Sequence, residues 1–152
     1  MLRAQITEAM KAAMRARDQE TVSTVRMIMA GLKDKDIAAR PSGRTEGISD
    51  AEILSLLQGM VKQRRESVAL YRQGGRQDLV DKEEAEIAVI ERFLPKQMSP
   101  AEAEAAIAAV IAETGAASIK DMGKVMGELK TRYSGQMDFS AIGPAVKAKL
   151  NG

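Results

Sequence analysis

The paired glycines Gly74-Gly75 stand between two long amphipathic segments, and this arrangement limits the possible folds more than any other feature. Apolar residues recur every three or four positions over about 49–72 and again over about 77–94, a spacing typical of helices with one buried face. Glycine ends helices and reverses the chain at low cost because it has no Cβ. The sequence therefore predicts two long helices packed antiparallel as a hairpin.

Two further helices are predicted before the hairpin, over about 2–16 and 19–38. Helix-breaking residues follow, so 39–48 is predicted to be a mobile loop. Ser49 then caps the third helix, and Glu52 completes a capping box. The first two apolar stripes comprise Leu2, Ile6, Met10 and Met14, and Val22, Val25, Ile28, Met29 and Leu32; the loop breakers are Pro41, Gly43 and Gly47.

Pro95 stops the fourth helix, and the segment LPKQMSP is predicted to link it to a second unit. The sequence thus predicts an all-α protein, with an elongated helical domain over 1–96 and a small three-helix bundle over 97–152. The predicted helices of the second unit begin after the caps Ser99, Ser118 and Asp138 and cover about 100–114, 119–132 and 139–150.

The composition excludes several kinds of chemistry. The chain has no cysteine and no histidine, so disulfides, zinc-thiolate sites, thiol nucleophiles and the commonest general base are absent. No catalytic site, metal or cofactor is predicted. No run of 18 apolar residues occurs, so no membrane span is predicted. The start lacks the apolar core of a signal peptide, and Glu8 and Asp18 interrupt its basic face, so the predicted compartment is the cytoplasm.

Charged residues fall inside the predicted apolar faces of the hairpin. A helical projection places Arg64 near the centre of the third helix's face, and Glu83 and Glu86 at the centre and flank of the fourth. Folding about Gly74-Gly75 brings these levels together, so Arg64 is predicted to pair with one or both glutamates. Arg26 lies at the edge of its own apolar arc and is a further candidate for this network. The pairing is interpreted as a structural ion pair, with an acidic-group recognition site and a carboxylate catalytic dyad as alternatives.

Two interior glycines mark the sixth helix. Gly123 and Gly127 lie side by side at one edge of its apolar arc, with Lys120 and Lys124 bordering them. Each interior glycine costs about 1 kcal/mol relative to alanine, so a compensating gain is expected. Close packing within the bundle is one explanation. The other is a smooth backbone strip that lets a phosphate backbone approach the flanking lysines.

Five segments spread along nearly the whole chain carry a recognisable pattern: MKAAMRARD, TVRMIMAGLK, KQRRESVALYRQGGRQDLVDKEEAEIAVIERFLPKQMS, KDMGKVMGELK and VKAKL. Together these segments resemble the YqeY family. The C-terminal unit also resembles the tail domain of the B subunit of the glutamine-dependent tRNA amidotransferase, a helical module associated with tRNA binding. Similar modules are appended to some glutaminyl-tRNA synthetases.

This resemblance implies a tRNA-binding accessory module, with tRNA and an amidotransferase or aminoacyl-tRNA synthetase as partners. It also implies a family label of carbon–nitrogen ligase with glutamine as amido donor, but no segment matches the catalytic domain of the amidotransferase, so the chain alone is predicted to be non-catalytic. The RNA-binding candidates are Lys120, Gly123, Lys124, Gly127, Lys130, Arg132, Lys147 and Lys149.

Two other functions stay open from the residues. The first is a protein–protein adaptor without an RNA role, using the 39–48 loop and the polar sides of the third and fourth helices. The second is an enzyme that relies on carboxylates and lysines, with Glu83, Glu84 and Glu86 as its candidates. A cluster of acids on a helix is, however, usually a solvated face.

Overall fold

The computed structural model describes residues 1–151, and within that range every regular element is a helix, which confirms the predicted all-α class. Contacts divide the chain into two compact units, Met1–Pro95 and Lys96–Gly152, one residue before the predicted boundary. The α-helices are α1 (Leu2–Arg15), α2 (Gln19–Ala39), α3 (Asp50–Gln73), α4 (Gln77–Glu91), α5 (Pro100–Thr114), α6 (Met122–Arg132) and α7 (Phe139–Asn151), with 3₁₀ turns at Arg40–Ser42 and Ile119–Asp121.

Helices α3 and α4 form the antiparallel hairpin that the glycine pair predicts. The N–H of Gly75 donates to the carbonyl of Arg72 (3.1 Å), and the N–H of Arg76 donates to the carbonyl of Tyr71 (2.9 Å). These two bonds define a Schellman motif, which satisfies the last carbonyls of a helix. Gly75 has a φ of +69°, a left-handed conformation that glycine adopts without a Cβ clash.

The hairpin carries the core of the first unit. Helix α4 contacts α3 along one side and α2 along another, and α2 in turn contacts α1. The apolar faces are buried where these helices meet, and α4 therefore contributes to the core through its contacts with both α3 and α2. Its most deeply buried residues are Ile6, Val25, Ile28, Ile53, Leu57, Val80 and Ile90.

The prediction that Met14 belongs to the buried stripe of the first helix is wrong. Leu2 and Ile6 are buried, but Met14 is 58% exposed and Ala13 is buried in its place. A spacing of four residues advances about 40° beyond a full turn at each step. Three steps from Leu2 therefore carry Met14 about 120° around the helix and out of the core.

The fourth helix is shorter than the predicted range of 77–94, because α4 ends at Glu91. The next three N–H groups donate to carbonyls three residues earlier, with the last bond joining Leu94 to Glu91 at 3.1 Å. Pro95 disfavours the α conformation in the residue before it. The chain therefore tightens into 3₁₀-type turns before the proline is reached.

The turn between α1 and α2 uses no glycine. Arg17 adopts a φ of +56°, and the N–H of Asp18 donates to the carbonyl of Ala13 at 3.0 Å. The Asp18 carboxylate also accepts a bond from the N–H of Thr21 at 3.2 Å, which caps α2. This tight reversal lays α1 along α2.

The end of the 39–48 segment is anchored to both of the first helices. The Arg3 guanidinium donates two bonds to the Asp36 carboxylate (2.6 and 2.8 Å) and one to the carbonyl of Ile48 (3.0 Å). Asp36 also accepts the N–H of Ile48 at 2.9 Å. Gly47 has a φ of +96°, and a Cβ there would overlap Arg3 and Asp36. The segment predicted to be mobile therefore ends in a hydrogen-bonded clamp.

The second unit packs three helices, α5, α6 and α7, around one small core. The N–H of Met98 donates to the carbonyl of Gln136 at 3.0 Å, so this part of the predicted linker belongs to the unit. Among residues 1–151, no helix has the length and hydropathy needed to cross a bilayer. The central residues of the core are Val110, Val125, Leu129 and Val146, all at 0% exposure.

The clamp predicts a specific acid sensitivity. The Arg3 guanidinium, followed by the Ile48 N–H, lowers the pKa of Asp36 to about 2, against about 3.9 in an unfolded chain. Asp36 therefore contributes stability that is present above pH 4 and is lost as the pH falls toward 2. We expect Asp36→Asn to lower the free energy of unfolding by about 1.5–3 kcal/mol at pH 7.

Urea unfolding of both proteins at intervals from pH 7 to pH 2 measures this effect. The difference between wild type and Asp36→Asn should shrink steadily below pH 4. A difference that stays constant down to pH 2 would contradict a charge-dependent clamp.

Candidate nucleic-acid interface

The two interior glycines of α6 face open space. Gly123 and Gly127 are both exposed, and a Cβ built on either would meet no neighbouring side chain or helix within 4 Å. By contrast, Gly143 of α7 faces Met122 across the core, where an added Cβ would lie 3.9 Å from the methionine methyl group. Within the described residues, close packing inside the bundle is therefore wrong as the explanation of Gly123 and Gly127.

Two exposed lysines flank this open strip without partners of their own. Lys130 lies on α6 just beyond Gly127, and Lys120 lies in the 3₁₀ turn just before Gly123. Neither ammonium group forms a hydrogen bond or ion pair with any residue from 1 to 151. We call Lys120, Gly123, Gly127 and Lys130 together the glycine face. Its surface combines bare backbone with two free positive charges.

Two of the predicted cations beside the glycine face are engaged within the unit. Lys124 donates to the carbonyl of Thr114 at 3.2 Å, where a cation also matches the negative end of the α5 dipole. Arg132 pairs with Glu113 (2.5 Å) and Glu128 (3.0 Å), and these bonds raise the pKa of its guanidinium. Both residues therefore hold α5 and α6 together, and their charges are partly compensated.

The two candidates of α7 also differ from each other. Lys147 is exposed and forms no ion pair within the described range. Lys149 lies 3.6 Å from the Glu104 carboxylate, which partly offsets its charge. Of the six predicted cations in this unit, the ammonium groups of Lys120, Lys130 and Lys147 thus lack an acidic or carbonyl partner among residues 1–151.

Of the charged residues predicted to form a network in the hairpin, only Arg64 and Glu86 pair with each other. Arg64 donates from Nε to Glu86 at 2.9 Å and from a terminal nitrogen to the carbonyl of Met60 at 3.2 Å. The two charged side chains are only 11% and 12% exposed. A guanidinium that is buried and bonded on two sides is suited to fixing the register of α3 against α4.

The other predicted members of that cluster lie outside it. Glu83 is half-buried but forms no hydrogen bond or ion pair within residues 1–151, and Arg26 is exposed and likewise unpaired. Glu84 faces the solvent and pairs with Arg72 at 2.5 Å. Arg26 lies at the edge of the α2 arc, as the projection places it, but the arc packs against α4 and α1 and this edge stays exposed to solvent. No three acidic side chains among the described residues converge to hold a metal ion.

Sequence analysis also missed the Arg3–Asp36 clamp. The available signal was the position of Asp36 one turn after Leu32, at the rim of the α2 apolar face. An acid at such a position is expected to need a partner, but the partner lies 33 residues away along the chain. Only the antiparallel packing of α1 on α2 brings Arg3 to it.

The fold and this surface define an all-helical protein whose second unit exposes a glycine face flanked by free lysines. The chain belongs to the YqeY family, because the model of the Yqey-like protein family matches residues 3–150. This agrees with the resemblance drawn from its sequence segments.

Three curated relatives extend the comparison. A protein of Lachancea thermotolerans named altered inheritance of mitochondria protein 41, mitochondrial, is 30% identical over 66% of this chain and 52% of its own length. The protein of the same name from Eremothecium gossypii is 31% identical over 60% of this chain and 48% of its own. An uncharacterized protein of Schizosaccharomyces pombe is 26% identical over 64% and 76%, respectively. The chain spans about half the length of the two mitochondrial relatives.

The hairpin ion pair predicts a non-additive response to substitution. Glu86→Leu alone leaves the Arg64 guanidinium buried without its partner, and we expect it to lower the free energy of unfolding by about 3 kcal/mol. The double variant Arg64→Met with Glu86→Leu replaces both charges by apolar groups and should recover most of that loss. Urea unfolding of the two single variants and the double variant provides the measurement, and strictly additive losses would contradict the proposed pair.

The open glycine face predicts that alanine is stabilising there. Gly123→Ala and Gly127→Ala each remove backbone freedom from the unfolded chain and meet no obstruction, so each should raise the stability of the second unit by up to about 1 kcal/mol. Gly59→Ala in α3 is a matched control, because Gly59 is also helical with open space around it. Thermal unfolding followed by circular dichroism tests this. A loss of stability specific to positions 123 and 127 would mean that the glycines serve packing after all.

Proposed function

We propose that the second unit binds structured RNA of the tRNA class and that the protein is an accessory module to tRNA amidation, with no ligase activity of its own. The observation that carries this proposal is the glycine face. Its two glycines lower helix stability and gain no packing within the described chain. An external partner that approaches the backbone closely would account for both facts.

The chemistry of the face favours a phosphate backbone over bases as the contacted group. Lys120 and Lys130 offer two uncompensated ammonium groups at the two ends of the glycine face, and Lys147 adds a third on α7. Lysine binds phosphate as a point charge without reading sequence. The gap left by the missing side chains would let a sugar-phosphate strand lie against α6.

The aromatic residues of this unit support recognition of a folded RNA. Single-stranded RNA is usually gripped by bases stacked on exposed aromatic rings. Here Tyr133 and Phe139 are half-buried and pack against the core of the bundle. Recognition would therefore depend on duplex shape and phosphate contacts, as in other proteins that bind double-stranded RNA.

The amidotransferase connection rests on family membership and on the resemblance of this unit to the B-subunit tail domain. In this proposal the partner enzyme supplies the carbon–nitrogen ligase chemistry, and this chain holds or presents the tRNA. We propose the cytoplasm as its compartment, whereas two of the relatives are named as mitochondrial proteins.

Fluorescence anisotropy with a labelled tRNA transcript tests the RNA interface. Lys120→Glu with Lys130→Glu should weaken binding at least tenfold and reduce the slope of log affinity against log salt by about 2, since each lost phosphate contact contributes about 0.9. Gly127→Gln leaves the charge unchanged but fills the gap, so it should weaken binding while the unit stays folded.

Lys35→Glu with Lys82→Glu is the matched control, because it makes the same charge change at exposed positions of the first unit. It should leave most of the affinity intact. Equal losses in both charge variants would indicate only bulk electrostatics. Wild-type affinity in the Lys120, Lys130 and Gly127 variants would rule out the glycine face as the interface.

A further inference from the structure

One side of α2 alternates cationic and apolar residues along its exposed length. Arg26, Met29, Lys33, Ile37 and Arg40 follow one another at spacings of three or four residues, the last in the 3₁₀ turn that continues the helix. These spacings keep all five within about a quarter of the helix circumference. The stripe runs for about 21 Å at 1.5 Å per residue.

The apolar members of this stripe are exposed. Met29 is 37% exposed and Ile37 is 46% exposed. Both lie on the same exposed side of α2. Large apolar side chains grouped on one exposed face are typical of a surface that binds another protein.

The cationic members lack compensating charges. Arg26 and Lys33 form no hydrogen bond or ion pair with any described residue, and Arg40 contributes only a longer-range attraction to Asp36. The Asp36 carboxylate itself is already bonded twice to Arg3. The Asp36 carboxylate in the wall of the cleft between α1 and α2 is thus neutralised inside the protein, which leaves the stripe with about three positive charges open to a partner.

A cleft between α1 and α2 gives this stripe a concave shape. The cleft has a volume of about 340 Å³. The buried residues Ile6 and Leu32 lie at its base, and the Arg3–Asp36 ion pair forms part of its wall. The remaining lining residues are Thr7, Met29, Lys33, Ile37 and Arg40. We call this cleft and the α2 stripe the α1–α2 groove.

We infer that the α1–α2 groove binds an acidic amphipathic helix of a partner protein. Arg26, Lys33 and Arg40 are spaced seven residues apart, so a partner helix with an acidic residue every seven positions would oppose each cation in turn. Apolar residues on the same partner face would enter the cleft between Met29 and Ile37. Helices commonly bind in this way, with apolar anchors in a groove and charges along its rim.

The shape and composition of the groove favour a helix over the other anionic partners. A membrane surface is flat and would be met best by a convex apolar face, whereas Ile6 and Leu32 here lie at the base of a cleft that the Arg3–Asp36 ion pair also lines. RNA would gain little from exposed methionine and isoleucine. Methionine is flexible and polarisable and suits contact with varied apolar side chains of a protein.

A model peptide tests the groove directly. The probe is a fluorescent 18-residue helix with leucines along one face and glutamates at seven-residue spacing beside them, and the full-length protein is titrated into it. Binding should weaken at least tenfold in Met29→Ser with Ile37→Ser and in Lys33→Glu with Arg40→Glu. A peptide of identical composition in scrambled order, which has no apolar face, should bind far more weakly.

Leu70→Ser and Lys82→Glu are the matched controls, since both residues are exposed on the hairpin away from the groove. They should retain wild-type affinity, and circular dichroism should show all variants folded. The inference is overturned if wild type does not bind the peptide, if the scrambled peptide binds equally well, or if the groove variants match the controls.

Competing occupants are measured with the same variants. Binding to vesicles that contain phosphatidylglycerol, and self-association measured by sedimentation velocity, are each compared between wild type and Met29→Ser with Ile37→Ser. If either depends on Met29 and Ile37 while the peptide does not bind, the inference of a helical protein partner is overturned.

The groove and the glycine face can be tested separately. The groove variants should leave tRNA binding unchanged, and Lys120→Glu with Lys130→Glu should leave peptide binding unchanged, so failure of one proposal does not decide the other.

Discussion

The apolar contact between α3 and α4 is the constraint on which the first unit depends. Helix α4 reaches α2 only because the Schellman turn at Gly75 folds it back along α3, and α1 is held in turn by α2. The Arg64–Glu86 pair lies beside this contact and is nearly enclosed by it. Apolar burial supplies the driving force, whereas a buried ion pair adds little net stability and instead penalises any other register.

The glycine face of the second unit and the α1–α2 groove of the first unit differ in the residues that they expose. In the second unit, bare backbone lies between free lysines, which suits a phosphate chain. In the first, exposed methionine and isoleucine alternate with cations beside a cleft, which suits a protein helix. A module that holds an RNA with one unit and a protein with the other would be well placed beside an enzyme that modifies tRNA.

Individual residues show why the sequence predicted some features and missed others. Arg64 and Glu86 stand on opposite arms of one hairpin, so the turn position alone fixes their levels. Arg26 and Asp36 also lie at the rim of an apolar arc, but their surroundings depend on which helices cover α2. The positions of Gly123 and Gly127 on one edge of α6 follow from the sequence. A glycine pair that packs against a neighbouring helix and one that is open to solvent have the same sequence pattern, so only the structure distinguishes them. Met14 was misplaced because a four-residue spacing drifts around the helix, and only contact with α2 decides where the buried arc ends.

The sequence by itself determined the helical class, the caps, the turn at Gly74-Gly75 and the family, because each is a local pattern of residue types. Tertiary structure decided the Arg3–Asp36 clamp, the exclusion of Arg26 and Glu83 from the ion pair, the open glycine face and the α1–α2 groove. These features depend on residues far apart in the chain, or on the absence of a neighbour. Periodicity states which face of a helix is apolar, but the number of helices that cover that face follows only from how the whole core is packed.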